Sequence, residues 1–364
     1  MYSLKGIRSL HSLVFGRQED QDPLCKTLRA SDVPVTTADC RACADPCDLG
    51  HEAYPRRFDI DMDTQMLGSV KPYHRQIVIS TGKSDWTKDI TDDKQSLAAA
   101  FVEVTSNTGP SLPATSVSPK PTSPPSKGVR PVTGLFSTSD STRTSVLNGS
   151  HRSLCHEEDH ESVLVFPDFK VVTEVRHSVQ GARELWESAV DPSVEREGAY
   201  FEKSNLKTWI LPYSCVILLC SHRRRDNRCG IAAPKLEHGN PAFIKSLEAQ
   251  GWDADTQLEH PQLTFGLPLE DLNERHENIM EQLKQSTESK RALIVKVSHV
   301  GGHKYAGNCI IYTPSGSGVW YGRVTPHDVD SIVDNTIVKG LILPPLLRGG
   351  LNLSKPNCQT INDW

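Results

Sequence analysis

Two segments about seventy residues apart carry side chains that suit a single metal centre, and only certain folds can bring them together. CSHRRRDNRCG holds Cys220 and Cys229, and SHVGGHKYAGN holds His299 and His303. Two soft thiolates and two imidazoles close a four-ligand site. Each segment follows an apolar run of strand length, SCVILLC (Ser214 to Cys220) and RALIVKVS (Arg291 to Ser298). Runs without alternation belong to strands covered on both faces. Both ligand pairs are therefore expected where a strand runs into a loop. Gly301 and Gly302 lie between the histidines and argue against a helical H-x3-H site. The eight residues between Cys220 and Cys229 exceed the two to four of a zinc knuckle. From the residues alone, zinc and an iron–sulfur cluster stand level.

The rest of the chain narrows the setting. Its 364 residues allow one large or two ordinary domains. A net charge of −5 gives no bias toward nucleic acid or an anionic membrane. No run of about 18 apolar residues predicts a transmembrane helix, and no secretory h-region is present. Ten cysteines in a chain this long do not form a small disulfide scaffold, so a reducing compartment is expected and clustered cysteines read as ligands or redox groups. The first 18 residues are basic and faintly amphipathic, a weak match to a mitochondrial presequence that Glu19, Asp20 and Asp22 interrupt. A cytoplasmic location is expected, with the mitochondrion as the alternative.

Four segments are predicted. Residues 1–54 read as an irregular tail holding Cys40-x2-Cys43-x3-Cys47, which could take zinc or a second cluster with Cys25 or His51 as fourth ligand. Cys40-x2-Cys43 has disulfide-exchange spacing but lacks the strand and helix that such a motif needs. Residues 55–204 hold a strand at Arg75 to Ser80, a helix at Ser96 to Val104, two strands around Pro167, and a helix in SVQGARELWESAV. They are interrupted by 105–150, rich in Ser, Thr and Pro and read as a disordered insertion. Residues 205–345 read strand, helix, strand, hairpin, helix, with Asn240 and Pro241 opening one helix and Thr325-Pro326 another. That order suits a thioredoxin-like α/β layer. Residues 346–364 read as a C-terminal tail. VKPYHRQIVISTGKSDW (Val70 to Trp86) echoes ILPYSCVILLCSHRRRD (Ile210 to Asp226), as if a duplicated domain had lost the ligands of its first copy.

The motifs CSHRRRDNRCG, HVGGHKYAGN and VWYGRVTP, in that order, resemble the sucrase/ferredoxin-like family of thioredoxin-like ferredoxins. The resemblance is strong over about 205–340 and extends weakly into the first half. It implies a 2Fe–2S cluster held by Cys220, Cys229, His299 and His303, with histidines standing where related ferredoxins have a second cysteine pair. Two thiolates on an oxidised 2+ core leave the site neutral, which favours electron uptake, and imidazole ligands couple that uptake to a proton. The expected function is one-electron transfer between redox donor and acceptor proteins rather than stand-alone catalysis. The alternative is a zinc-stabilised interaction protein using the same four residues. No paired-carboxylate motif supports glycoside cleavage. Arg223, Arg224, Arg225 and Arg228 read as a basic loop that could steer an acidic partner, His222 as a surface residue of that loop, and Cys215 and Cys309 as buried structural thiols. Asp363 and Trp364 resemble the C-terminal acidic–aromatic address of cytosolic iron–sulfur clients, so the assembly machinery for such clusters is an expected partner.

Overall fold

The structure, a computed structural model, describes residues 22–41, 43–107, 132–199, 204–239 and 242–364. The unalternated apolar runs become strands buried on both faces. In β7, Cys215, Ile217 and Leu219 enter one core cluster, while Val216 and Leu218 enter another on the opposite face. The described residues form one mixed α/β sheet of twelve strands. These are β1 (Arg75–Ser80), β2 (Leu135–Phe136), β3 (Thr144–Gly149), β4 (His160–Phe166), β5 (Lys170–Arg176) and β6 (Lys207–Ile210) in the first half. The second half adds β7 (Cys215–Cys220), β8 (Asp253–Asp255), β9 (Arg291–Val297), β10 (Cys309–Tyr312), β11 (Gly318–Tyr321) and β12 (Leu347–Leu351).

The faint echo in sequence corresponds to a repeated topology. β1 runs parallel to β3 and antiparallel to β4, which pairs with β5. β7 runs parallel to β9 and antiparallel to β10, which pairs with β11. A helix follows the first strand of each unit, Leu97–Asn107 after β1 and Asn227–His238 after β7. The units join through their equivalent second strands, antiparallel at Gly149–Val297. One core is shared: Val78, Leu164 and Phe166 of the first unit pack with Leu218, Val295 and Ile310 of the second. A buried polar chain crosses the same boundary. Trp320 Nε1 donates to Tyr73 Oη at 2.8 Å, Tyr73 Oη lies 2.6 Å from Tyr312 Oη, and Tyr312 Oη donates to Gln76 Oε1 at 2.9 Å.

Three sequence expectations need correction. Residues 132–150 of the stretch read as disordered are ordered, while 108–131 lie outside the described residues. β3 is a central strand with few apolar side chains, tied to β9 by serine hydroxyls just beyond the two strand ends. Lys296 N donates to Ser150 Oγ at 3.1 Å, and Ser298 Oγ accepts from Asn148 N at 3.0 Å. The stretch read as a C-terminal tail holds β12, and Leu353 and Ile361 beyond it are buried. Glycines mask this strand, because a Cβ at Gly350 would meet Leu353 Cδ1 at 1.9 Å. Within the N-terminal tail, Pro23–Arg29 is a helix that sends Leu28 into the core, followed by buried Val33 and Val35. The helix expected from Asn240 and Pro241, which lie outside the described residues, spans Phe243–Ala249 with Ala242 as its N-cap.

The repeat also explains an odd histidine. His299 lies two residues beyond β9, and His151 lies two residues beyond β3. His151 is fully buried, and neither ring nitrogen has a hydrogen-bond partner among the described residues. Burial pushes its pKa down to about 4. The unfolded chain therefore takes up this proton first as pH falls, and the native state loses stability between about pH 6.5 and 4, by roughly 3 kcal/mol at the limit. Urea unfolding at pH 7.5 and 5.0 should show a smaller acid loss for His151→Leu than for the wild-type chain; equal losses would place the acid sensitivity elsewhere.

Candidate metal centre

Adjacent parallel strands end on the same side of a sheet, so β7 and β9 deliver their last residues to one place. Cys220 is in register with Val297, and Ser221 N donates to Val297 O at 3.0 Å. Beyond Cys220 the chain turns, and Asp226 caps the helix Asn227–His238 by accepting from Arg228 N. Cys229 therefore sits in the first turn of a helix. The sequence reading left this residue in a loop, because Pro234 inside the helix hides it.

His222, read as a surface residue, is 1 % exposed. Its Nε2 lies 3.1 Å from Trp86 O and 2.9 Å from Thr87 O, and its Nδ1 lies 3.3 Å from His299 N. One tautomer satisfies both ends: Nε2–H donates to the first unit's loop, and Nδ1 accepts from the backbone that starts His299. His222 is thus a positioning residue for the ligand loop.

The structure brings the sulfur atoms of Cys220 and Cys229 and a ring nitrogen of His299 within 4.8 Å of one another. Cys220 Sγ lies 4.0 Å from His299 Nδ1. His303 is adjacent rather than inside this group. Its ring centroid is 5.4 Å from that of His299, its Nε2 is 4.0 Å from the Asp226 carboxylate, and its side chain is 50 % exposed. Three of the four expected ligands are assembled, and the fourth stands at the rim on the turn His303–Tyr305.

The thiols divide their charge unequally. Contact with Cys229, aided by His299 and the Val300 N–H, holds Cys220 well below the usual thiol range. The same contact, with burial, pushes Cys229 far above it. The pair carries one negative charge readily and a second only if a cation lies between the sulfurs, which is what a metal ligand set requires.

Arg348 backs the histidine loop at 1 % exposure. Its Nη1 donates to Asn308 Oδ1 at 2.6 Å and to Gly301 O at 3.2 Å, and its Nε donates to Ser69 Oγ at 3.1 Å. Burial lowers its pKa to about 10, opposed by the charge of Cys220 and Cys229. Gly301 and Gly302 adopt φ of +86° and +66°, and a Cβ on Gly302 would meet the Arg348 guanidinium at 2.2 Å. The sequence reading missed Arg348 inside the supposed tail, where one charge amid LPPLLRGGL was the available cue.

Much of the basic loop is already neutralised. Arg228 makes a two-pronged bond to Asp226, Arg224 pairs with Asp85, and Arg225 pairs with Asp89, which leaves Arg223 as the exposed arginine of the loop with no ion pair among the described residues. Cys215 and Cys309 are buried within strands, with thiol pKa values raised by burial, as expected of structural cysteines. In the N-terminal segment, Cys43, Cys47 and His51 converge with His327, whereas Cys25 lies in its helix beside Asp22, and burial pushes Cys40 up to about 12.

The sucrase/ferredoxin-like sequence profile matches residues 66–349, which include β1 to β11, both ligand pairs and Arg348. The chain belongs to the sucrase/ferredoxin-like family. It is similar to Actin patches distal protein 1 of Saccharomyces cerevisiae, 26 % identical over 344 residues, covering 89 % of this chain and 87 % of that protein. It is also similar to Altered inheritance of mitochondria protein 32 of Meyerozyma guilliermondii, 33 % identical over 137 residues, or 38 % of this chain and 35 % of that protein. The protein of the same name from Debaryomyces hansenii is 29 % identical over 207 residues, 52 % of this chain and 59 % of that protein. The chain thus spans less than two thirds of the length of these last two relatives. No solved structure matches.

Gly302→Ala places a methyl group on the buried guanidinium at a left-handed position, at a cost of about 1–3 kcal/mol in that loop. We expect any metal that Cys220 and Cys229 hold to fall several-fold, read as metal content, with the circular dichroism of the sheet retained; full metal content would show that the loop yields without harm.

Proposed function

We propose that this sucrase/ferredoxin-like chain is a one-electron carrier holding a 2Fe–2S cluster through Cys220, Cys229, His299 and His303 on a thioredoxin-like unit. The observation that carries this reading is the convergence of two buried, unequally charged thiols and an imidazole at the ends of neighbouring parallel strands. The strand order β9-β7-β10-β11, with its one parallel and two antiparallel pairings, supports the thioredoxin-like description. When bound, such a cluster stores one electron, and imidazole ligands raise its potential above that of an all-cysteine site.

The chain's own residues supply the rest. Cys220 and Cys229 are the buried thiol pair that readily carries one negative charge, and the N–H of Val300 is directed at the Cys220 sulfur. His299 is held in place through His222. His303, half exposed beside Asp226, is the imidazole placed to exchange a proton with solvent. Arg348 adds a buried positive charge behind the site and favours its more negative, reduced state. With the first unit's loop packed over His222, water has little access to the thiol side.

Zinc is the second reading, held by the same four residues. A tetrahedral zinc with one thiolate and one imidazole sets an S···N edge of about 3.5 Å. The Cys220–His299 separation of 4.0 Å is longer, and His303 lies outside the group.

The C-terminal address is part of the proposal. Trp364 is 45 % exposed, whereas the Asp363 carboxylate is taken up by the N–H and hydroxyl of Thr360, so the indole is the group offered to an assembly partner. Among the described residues no helix is long and apolar enough to cross a membrane. We place the protein in the cytoplasm, with the mitochondrion as the alternative compartment.

Purification without oxygen tests the reading directly. The expected product is coloured, carries about two iron and two acid-labile sulfide per chain, and gives a paramagnetic signal after dithionite reduction. A colourless chain with zinc and no sulfide at Cys220 and Cys229 would falsify the electron-carrier reading. In the fraction of Arg348→Gln that retains iron, the midpoint potential should fall below the wild-type value, and an unmoved potential would remove Arg348 from the tuning role.

A further inference from the structure

A second thiol–imidazole group shares no residue with the centre formed around Cys220. Cys43, Cys47 and His51 follow one another at intervals of four residues, and His327 joins them from the turn Pro326–Asp328. One donor atom from each lies within 4.8 Å of all the others. His327 Nδ1 is 3.2 Å from Cys43 Sγ and 3.2 Å from His51 Nδ1. A single imidazole nitrogen cannot serve two such neighbours equally, since it has either one proton or one lone pair to share. A cation at the centre gives all four donors a partner.

We propose that Cys43, Cys47, His51 and His327 bind one zinc ion that clasps the N-terminal segment to the second unit. Two thiolates and two imidazoles are a standard closed zinc set, and their charge cancels that of the ion. Zinc–nitrogen bonds of about 2.0–2.1 Å give a tetrahedral N···N edge of about 3.3 Å, close to the His51–His327 separation of 3.2 Å. The group is tighter than the Cys220 centre, as a single ion requires. Donors around the sulfurs are those expected beside metal-bound thiolates. Arg41 Nε donates to Cys43 Sγ at 3.3 Å, and the N–H groups of Leu49 and His51 are directed at Cys47.

The ion's position gives it a structural task. Residues 52–65 contain no helix or strand, yet they lie against the loops that carry the first centre. Tyr54 Oη donates to Val324 O at 2.6 Å, Arg228 Nη1 donates to Asp59 O at 3.0 Å, and Asp61 N donates to Lys304 O at 2.8 Å. Lys304 and Arg228 are each one residue from a proposed cluster ligand, His303 and Cys229. The clasp fixes the start of this strap, and the strap in turn covers the ligand loops.

The test uses the full chain with Cys220→Ser and Cys229→Ser, which removes the first centre from the count. Made in zinc-supplemented medium, it should retain about one zinc per chain, and Co2+ in its place should give the visible bands and sulfur charge-transfer absorption of a tetrahedral thiolate site. Adding Cys47→Ser or His327→Ala should abolish both. If the double variant does not fold, the same two substitutions in the otherwise wild-type chain should remove zinc and leave the iron unchanged. Removing zinc with a chelator should speed tryptic cleavage at Arg56 and Arg57 several-fold. Absence of zinc from the folded chain, or zinc that survives Cys47→Ser and His327→Ala, overturns the site; bound zinc with cleavage unchanged overturns the clasp. Missing iron in the wild-type chain bears only on the electron-carrier proposal.

Discussion

The parallel pairing of β7 with β9 is the constraint on which the site depends. Residues 220 and 299 are separated by most of the second unit, yet the register Cys220–Val297 sets them side by side. Backbone ladder bonds, rather than flexible side chains, fix that proximity. The burial of Ile217 and Leu219 on one face and Val216 and Leu218 on the other ties the ladder into both cores, so a one-residue slip of β7 would drive each set into the wrong core. Ligands anchored this way meet with little further loss of conformational freedom, and the glycines at 301 and 302 then let the chain double back to His303.

The first unit repeats the scaffold without the chemistry. Where β7 ends in Cys220, β1 ends in Ser80, whose hydroxyl bonds the Glu161 carboxylate, itself held by His177 at 3.0 Å. A hydrogen-bonded acid–imidazole pair occupies the region that a metal ligand would need. The same unit nevertheless supports the neighbouring centre. Its loop after β1 accepts from Ser221 at Ser84 O and from His222 at Trp86 O and Thr87 O, and its Asp85 and Asp89 pair with Arg224 and Arg225. The repeated unit has kept the shared core of the sheet and supplies the outer contacts of its partner's candidate ligands.

What could be read from the sequence was local and apolar. Arg75–Ser80, Cys215–Cys220, Arg291–Val297 and the hairpin at Cys309–Tyr312 and Gly318–Tyr321 follow directly from runs of branched and aromatic residues. The candidate ligands followed from residue type at strand ends. Elements whose burial is carried by pairing rather than by their own side chains stayed hidden. β3 has Val146 and Leu147 but also Thr144, Ser145 and Asn148, and serine hydroxyls just beyond β3 and β9 bridge the two strands. β12 contains adjacent glycines and a buried arginine. His222 looked like one more polar residue in a basic loop, and His327 could not be linked to Cys43 because the two are 284 positions apart. Long-range polar contacts have no periodic trace, so these were the features that only the folded chain reveals.

Those hidden contacts enclose the centre from three directions: the loop after β1 through His222, β12 through Arg348, and the segment 52–65 through Asp59 and Asp61. Each comes from outside the β7–β11 unit that bears the ligands. An isolated second unit would keep Cys220, Cys229 and His299 but would leave His222 without acceptors for its Nε2–H, and the carbonyl of Gly301 without the guanidinium of Arg348. A buried thiol pair with that much unsatisfied polar surface around it is costly. The centre is therefore a property of the whole sheet, which accounts for a family match that runs from residue 66 to 349 instead of beginning at the strand that carries Cys220.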